Sequence, residues 1–198
     1  EELIAEKAPD SAVYSVHVPS VAPGEAISYE IEPIDSAGPC TSIAAEQNDD
    51  QVEISLSDSP LMTFKYGDDV VKPTINPILT PGGTNMLREP MPAWGEGEHP
   101  WQRGLTLMQG AINGIDCWNE KSIDTFGRTE QDSVDVDHGP VSLTISSDNS
   151  WYCGDNKLMT DHRSYRLFDT PRDAAILDIS LTLKASEGPV TIGDTKEG

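Results

Sequence analysis

The stretch GEHPWQRG, residues 97–104, places His99, Trp101 and Arg103 together in a chain that is poor in basic residues. A neutral imidazole accepts or donates a proton near pH 7, and the guanidinium fork of arginine holds a carboxylate or a pair of hydroxyls. The indole ring suits the apolar face of a sugar. These residue types together indicate a carbohydrate site. The alternative is structural: the two basic side chains satisfy loop carbonyls and the indole fills a gap in the packing.

A second group lies in NGIDCWNE, residues 113–120, which opens on an Asn-Gly turn signal. Asp116, Trp118 and Glu120 alternate along this segment, so on a strand they would share one face. Two carboxylates beside an indole serve acid/base chemistry or hold a cation. The alternative is an edge strand with a solvated acidic face.

A third group lies in GDTKEG, residues 193–198, with Asp194, Lys196 and Glu197. These charges form either an ion-paired surface turn or part of a site. The Asp-x-Asp-His run at 135–138 matches no specific metal motif, and we assign no metal ligand. The sequence contains no glycine-rich phosphate loop, nucleophile elbow or paired-histidine zinc motif. This argues against nucleotide enzymes, serine hydrolases and zinc proteases.

The charge balance excludes several classes of partner. The 198 residues include 34 acidic and 13 basic side chains, for a net charge of −21. Nucleic acids and anionic membranes both require clustered lysine and arginine, so we expect neither as a partner. No apolar run reaches the about 20 residues of a membrane-spanning helix. We expect no cofactor, with a divalent cation bound by carboxylates as the one alternative.

The cysteines give no pattern that assigns their chemistry. Cys40, Cys117 and Cys153 fit neither a disulfide framework nor a zinc spacing. Their disulfide state stays open between one pair with one free thiol and three free thiols.

Alternation of apolar and polar residues with a period of two predicts short β-strands along the whole chain. The cleanest case is ILDISLTLKAS (176–186), for which we predict apolar faces with one face wet. N-terminal strands are predicted at 11–18 and 26–33. Two stretches, 72–100 and 113–139, are predicted as long loops, which are uncommon in a compact domain unless they carry function. The pattern is typical of an all-β sandwich or barrel.

Several motifs occur in an order that resembles one family. They are KPTINPILTPGG, GEHPWQRG, NGIDCWNE, RSYRLF and, after a strand, GDTKEG. The chain resembles the bacterial PmoA-like family, which carries the automatic label "methane oxygenase PmoA". The resemblance covers roughly Tyr66 to Gly198 and extends more weakly over VAPGEAISYEIEP. The family usually reads HP-H-H-RG where this chain has Trp101 and Gln102, so a histidine cluster for a metal is lost while His99 remains.

The resemblance implies an all-β fold, a large antiparallel β-sandwich of the galactose-mutarotase-like supersandwich type. We expect residues 1–66 to form leading strands and residues 67–198 to form the first part of the PmoA-like sandwich domain. The family continues past GDTKEG, so we expect the sandwich to be incomplete and its bare edge to recruit a completing chain or a second copy. Members of the family tend to be secreted by bacteria that degrade polysaccharides, which implies a secreted or periplasmic protein.

The resemblance also implies carbohydrate binding or processing in a concave sheet face. In this interpretation the catalytic residues are His99 as acid or base, Arg103 on a hydroxyl or carboxylate, and the carboxylates of Asp116 and Glu120. The substrate-binding residues are Trp101, Gln102, Trp118, Asp194, Lys196 and Glu197. An enzyme of this kind would be a mutarotase-like isomerase or a polysaccharide lyase or hydrolase that works by proton transfer. The alternatives are a non-catalytic glycan-binding or structural module, and the metal-dependent oxygenase of the family label.

Overall fold

All regular structure in the described part of the chain is β-strand, which confirms the all-β prediction. The computed structural model describes residues 5–7, 14–16, 18, 20–30, 38–39, 42–67, 70–88, 98–121, 124–170 and 174–196. Within these ranges no helix is long and apolar enough to cross a membrane. The strands are β1 (Ala5–Lys7), β2 (Tyr14–Val16), β3 (Ile43–Gln47), β4 (Gln51–Leu56), β5 (Ser59–Lys65), β6 (Thr74–Ile78), β7 (Leu105–Thr106), β8 (Gly127–His138), β9 (Ser142–Cys153), β10 (Asn156–Phe168) and β11 (Ile176–Lys184).

Two antiparallel sheets form a sandwich. The first has five strands in the order β3-β4-β5-β6-β7, and the second has four in the order β11-β10-β9-β8. Strands β1 and β2 pair separately as a small ribbon. Tight turns set the registers, as at Ser57 and Asp58, whose φ angles of 50° and 62° give the positive φ values that a two-residue hairpin favours.

Alternate residues of the two sheets face each other and exclude water. The main core lies between β3–β6 on one side and β8–β10 on the other. Its fully buried members include Val52, Phe64 and Ile75 from the first sheet and Leu143 and Ile145 from the second. A second cluster, built around Trp151, Met159 and Ile112, lies at the far end of the four-stranded sheet. The loop from β7 to β8 packs on this end, which brings the predicted site segments onto the sandwich.

A buried polar layer separates the two apolar clusters. Asp161 accepts hydrogen bonds from Asn149 Nδ2 (2.7 Å), Trp151 Nε1 (2.6 Å) and Arg163 Nε and Nη2 (both 2.9 Å). Arg163 Nη1 also donates to the Pro73 carbonyl at 3.3 Å. Burial lowers the pKa of the Arg163 guanidinium, but the hydrogen bonds and charge of Asp161 outweigh burial and leave that pKa raised. The layer is an ion pair whose buried polar atoms have hydrogen-bond partners.

The inner face of the edge strand β11 is uncovered. Ile179, Leu181 and Leu183 are paired in register with Tyr165, Arg163 and Asp161, whose side chains face the interior. These three apolar side chains are nevertheless 42–47 % exposed. β11 is therefore more exposed than predicted. One solvent-exposed face was expected, and along most of the strand both faces meet solvent. The expected partner on this edge stays a prediction.

Several predicted loops and strands have different bounds. Residues 74–78 form β6 and residues 127–138 form the long strand β8, although both were predicted as loop. β8 escaped detection because acidic side chains cover its outer face and polar side chains fill part of its inner face. The N-terminal strand predicted at 11–18 is limited to Tyr14–Val16 in the described residues, and residues 26–30 are not strand.

Candidate functional site

A buried ion triad lies beneath the β6–β8 side of the sandwich. Glu120 Oε1 is 3.4 Å from Lys72 Nζ, and Glu120 Oε2 is 2.7 Å from Arg103 Nε. All three side chains are at least 94 % removed from solvent. Arg103 and Glu120, predicted separately from two motifs, are thus brought into direct contact. Lys72 is the first residue of the motif KPTINPILTPGG, and no role was predicted for it.

The triad is held together more by charge than by hydrogen bonds. Lys72 Nζ donates to the Trp118 carbonyl at 2.7 Å and to the Cys117 carbonyl at 3.4 Å. The short Arg103–Glu120 contact has poor hydrogen-bond angles, so Arg103 Nε and Nη2 and Glu120 Oε2 have no hydrogen-bond partner within the described ranges. Burial lowers the pKa of Lys72, and the negative charge of Glu120 counteracts part of that shift. The two cations therefore depend on one carboxylate.

The segment Val71–Pro73 anchors the triad to the sandwich. The Val71 carbonyl accepts from the Thr129 amide at 3.0 Å, and the Pro73 carbonyl accepts from Arg163 in the polar layer. Arg103 is fixed at its backbone, because its carbonyl accepts from Asn76 Nδ2 at 2.5 Å. The triad is thus tied to both sheets, and it holds the loop after Arg103 in a fixed position.

A partly exposed group of three rings and one lysine is close in sequence to two members of the triad. Its first two rings come shortly before Arg103, and its lysine and third ring come shortly after Glu120. We call His99, Trp101, Lys121 and Phe126 the aromatic–cation cluster. Lys121 Nζ is 6.0 Å from the centre of the Trp101 ring and 5.9 Å from the centre of the Phe126 ring. The imidazole of His99 meets Trp101 edge-on, with 5.7 Å between ring centres. Both aromatic rings are partly exposed and Lys121 is exposed, so the group is open to a ligand.

The loop that carries His99 and Trp101 is held through its backbone. Arg88 Nη1 donates to the carbonyls of Glu98 (2.6 Å) and His99 (3.1 Å), and the Gln102 amide closes a turn onto the His99 carbonyl at 3.0 Å. His99 has a φ of 53°, a left-handed backbone conformation that is uncommon outside glycine but that histidine adopts more often than most residues. Gln102 itself is exposed. The turn therefore presents the His99 and Trp101 rings outward beside Lys121.

The NGIDCWNE segment is a loop, as predicted for this stretch, so Asp116, Trp118 and Glu120 do not lie on a strand on which they would share one face. Asp116 Oδ1 accepts from the amides of Trp118 (2.9 Å) and Asn119 (3.0 Å), the pattern of an Asx turn. Its Oδ2 accepts from Asn119 Nδ2 at 2.5 Å. Asp116 and Glu120 consequently do not share a strand face: the first shapes the loop and the second enters the ion triad.

The last predicted group lies beside another part of this loop. The Gly193 amide donates to the Ala111 carbonyl at 2.9 Å, and its carbonyl accepts from Gln109 Nε2 at 3.0 Å. Asp194 and Lys196 follow and are exposed, while Glu197 lies outside the described residues. Their predicted role in binding stays a prediction.

Comparison with known families decides where the chain belongs. A family model of unknown function, DUF6807, matches residues 51–198, which is well over half of the chain. The chain belongs to the DUF6807 family. No curated protein and no solved structure matches it, and none of the comparisons returns a PmoA-like or galactose-mutarotase-like protein. The matched range includes the whole ion triad and the aromatic–cation cluster of this DUF6807 chain.

Other features of the DUF6807 chain lie apart from this site. A shallow cavity of about 190 Å³ is lined by β3–β6 residues that include Glu46, Glu53 and Thr63. None of the predicted site residues lines this cavity. Among the described residues no group of three or more histidine, cysteine or acidic side chains is arranged to hold a metal. Cys117 and Cys153 are free thiols, and Cys40 lies outside the described residues.

Three members of the site, Lys72, Lys121 and Phe126, were not predicted from the sequence, and neither was the polar layer. Lys72 had a usable signal, since it is a single charge within the apolar run VVKPTINPI. Lys121 also had one, as a cation directly after the acidic segment of NGIDCWNE. Asp161 could not be told from the many surface acids, because its burial depends on partners on another strand.

Proposed function

We propose that this protein binds carbohydrate on the aromatic–cation cluster, with Trp101 as the sugar-stacking platform. The observation that carries the proposal is the convergence of two partly exposed rings around Lys121. A sugar ring presents an apolar face that packs on an indole, and its substituents point toward the rim where charged groups lie. The resemblance to the PmoA-like family and its mutarotase-like sandwich independently points to a sugar ligand.

The local charge favours a sugar that carries a carboxylate. The protein has a net charge of −21, which repels anions at long range. Within the cluster, however, Lys121 supplies a positive charge, and the Glu98 carboxylate, whose Oε1 is 3.5 Å from His99 Nδ1, is 87 % exposed and therefore screened by solvent. A uronic acid residue would place its ring on Trp101 and its carboxylate near Lys121. This arrangement would discriminate acidic from neutral sugars.

The geometry supports binding more than proton-transfer catalysis. Glu120 is enclosed by two cations, and the hydrogen bonds of Asp116 go to its own loop. A catalytic acid or base must reach the proton it transfers, either directly or through one water. The non-catalytic glycan-binding module is therefore the form of the proposal that we favour over the isomerase, lyase and hydrolase. The replacement of two family histidines by Trp101 and Gln102 counts against the oxygenase alternative.

Calorimetric titration with an oligogalacturonate and with a neutral cello-oligosaccharide tests the proposal. We expect Trp101→Ala to weaken binding of both sugars by about 1.5–3 kcal/mol, or roughly tenfold to a hundredfold in Kd. We expect Lys121→Gln to weaken only the oligogalacturonate.

A matched control is a second cation–aromatic pair, in which Arg128 lies 5.0 Å from the centre of the Tyr152 ring. Tyr152→Ala and Arg128→Gln should leave sugar binding unchanged. The proposal fails if neither sugar binds the wild-type chain, or if Tyr152→Ala weakens binding as much as Trp101→Ala does.

A further inference from the structure

Two cysteines meet at a glycine where the site loop packs on the four-stranded sheet. Cys117 is buried, and its Sγ occupies the position that a side chain on Gly127 would fill. The Cβ atom of Cys117 lies 2.8 Å from that position. On the other side, Cys153 is the cross-strand partner of Gly127 in the β8–β9 pair. A larger residue at position 127 would separate the two thiols, and glycine leaves them adjacent.

The geometry is compatible with a covalent link. Cross-strand neighbours have Cβ positions about 4.5–5.5 Å apart, and disulfides need Cβ atoms about 3.5–4.5 Å apart. The Cβ atom of Cys117 lies 2.8 Å from the side-chain position of Gly127, whose cross-strand partner is Cys153, and both cysteines pack in the cluster around Trp151 and Ile112. Each thiol now makes only a weak contact, Cys117 Sγ with the Ile115 carbonyl at 3.7 Å and Cys153 Sγ with the Asp124 carbonyl at 3.8 Å. Little bonding is lost when they join.

We propose that Cys117 and Cys153 form a disulfide under oxidising conditions and that this bond clamps the site loop onto β9. Each thiol gives up its hydrogen, and a sulfur–sulfur bond forms between them. The two protons and two electrons pass to a disulfide oxidant such as oxidised glutathione, which becomes two thiols. The reaction goes through a mixed disulfide, which Cys153 forms first because it is the more exposed of the two.

The buried thiol then resolves this intermediate. Burial raises the pKa of Cys117 to about 12, so the attacking thiolate is scarce at neutral pH. We expect slow bond formation at pH 7 and faster formation at pH 9. The bond would tie down the loop three positions before Glu120, and so fix the segment that ends at Lys121. The proposal does not depend on any sugar ligand.

The test uses the full chain with Cys40→Ser, which leaves the two thiols in question. After incubation with oxidised glutathione, we expect intact mass to fall by about 2 Da and the count of free thiols to fall from two to none. Peptide mapping of the wild-type chain should recover a linked Cys117–Cys153 peptide. The oxidised chain should also melt about 6–12 °C higher than the reduced one, as a disulfide closing a loop of this size predicts.

Three outcomes would overturn the proposal. They are a stable glutathione adduct at Cys153 with Cys117 still free, two unreacted thiols, and disulfide-linked dimers. The control Cys40→Ser/Cys117→Ala must stop at the glutathione adduct. If that variant does not fold, peptide mapping of the wild-type chain decides the question alone.

Discussion

Replacing Glu120 with glutamine should destabilise the protein strongly, because two buried cations share that one carboxylate. At an effective dielectric constant of about 20, a contact of 2.7 Å is worth about 6 kcal/mol and one of 3.4 Å about 5 kcal/mol. Part of this attraction only offsets the free-energy cost of removing the carboxylate from water. The neutral side chain of the Glu120→Gln variant does not have this cost. Losing one partner of a buried pair costs about 3–5 kcal/mol, and we expect Glu120→Gln to fall in this range.

The chain offers a matched control at the surface. Glu130 Oε1 lies 2.7 Å from Arg128 Nε, the same separation as in the Arg103–Glu120 pair, but the Glu130 side chain is 51 % exposed. Solvent screens this pair, so Glu130→Gln should cost no more than about 1 kcal/mol. The two variants change the same chemical group and differ in burial.

Urea unfolding at pH 7, followed by tryptophan fluorescence and circular dichroism, measures both free energies of unfolding. A larger loss for Glu120→Gln than for Glu130→Gln supports the view that the triad holds the loop to the sandwich. Equal losses below about 1 kcal/mol would refute it, because Glu120 could not then be the main ionic partner of the two buried cations. If Glu120→Gln does not fold at all, Lys72→Met/Glu120→Gln, which removes one cation with the carboxylate, should fold and be more stable than the single variant.

Two further predictions concern the core and pH. Leu143→Ala, at a fully buried site, should lower the free energy of unfolding by about 2–5 kcal/mol. Leu181→Ala, on the uncovered face of β11, should lower it by less than about 1 kcal/mol. Similar losses for the two variants in urea unfolding would show that β11 is covered in solution. The pKa of Cys117 rises from 9.0 to about 12 on folding, so the native state keeps a proton that the unfolded state loses. Stability is therefore intact below pH 9 and falls by about 2–3 kcal/mol by pH 11, a loss that Cys117→Ala should not show; parallel pH profiles for the two chains would contradict this.

The fold class could be predicted because alternation is a local signal. The run at β4 alternates clearly, because Val52, Ile54 and Leu56 face the core and the residues between them are less buried. β8 could not be recognised, because its outer face is acidic and part of its inner face is polar, while Val134 and Val136 alone pack against the main core. Hydrophobic periodicity fails where the interior itself is polar.

The site could be predicted in part. The motifs identified Arg103 and Glu120, but only the fold brings them together with Lys72. Asp116 and Glu120 would share a face only on a strand, and the segment is a loop because an Asx turn competes with extended structure at Asp116. Side-chain contacts between distant segments carry no local sequence signal, so the triad could not be derived from spacing.

The buried polar layer also determines how β9 and β10 can align during folding. A slip of one residue turns every side chain of a strand to the opposite face. It would carry Asp161 and Arg163 out to solvent and break their bonds to Asn149 and Trp151, while the exposed His162 would enter the interior. A slip of two residues keeps the same faces inward, and an all-apolar interior would tolerate it because one aliphatic side chain would replace another at little cost. Here a two-residue slip would still separate Asp161 from Asn149 and Trp151. The polar layer thus makes misaligned β9–β10 hairpins unstable. A misaligned pairing is then less able to persist during folding, although the chain has an uncovered edge strand.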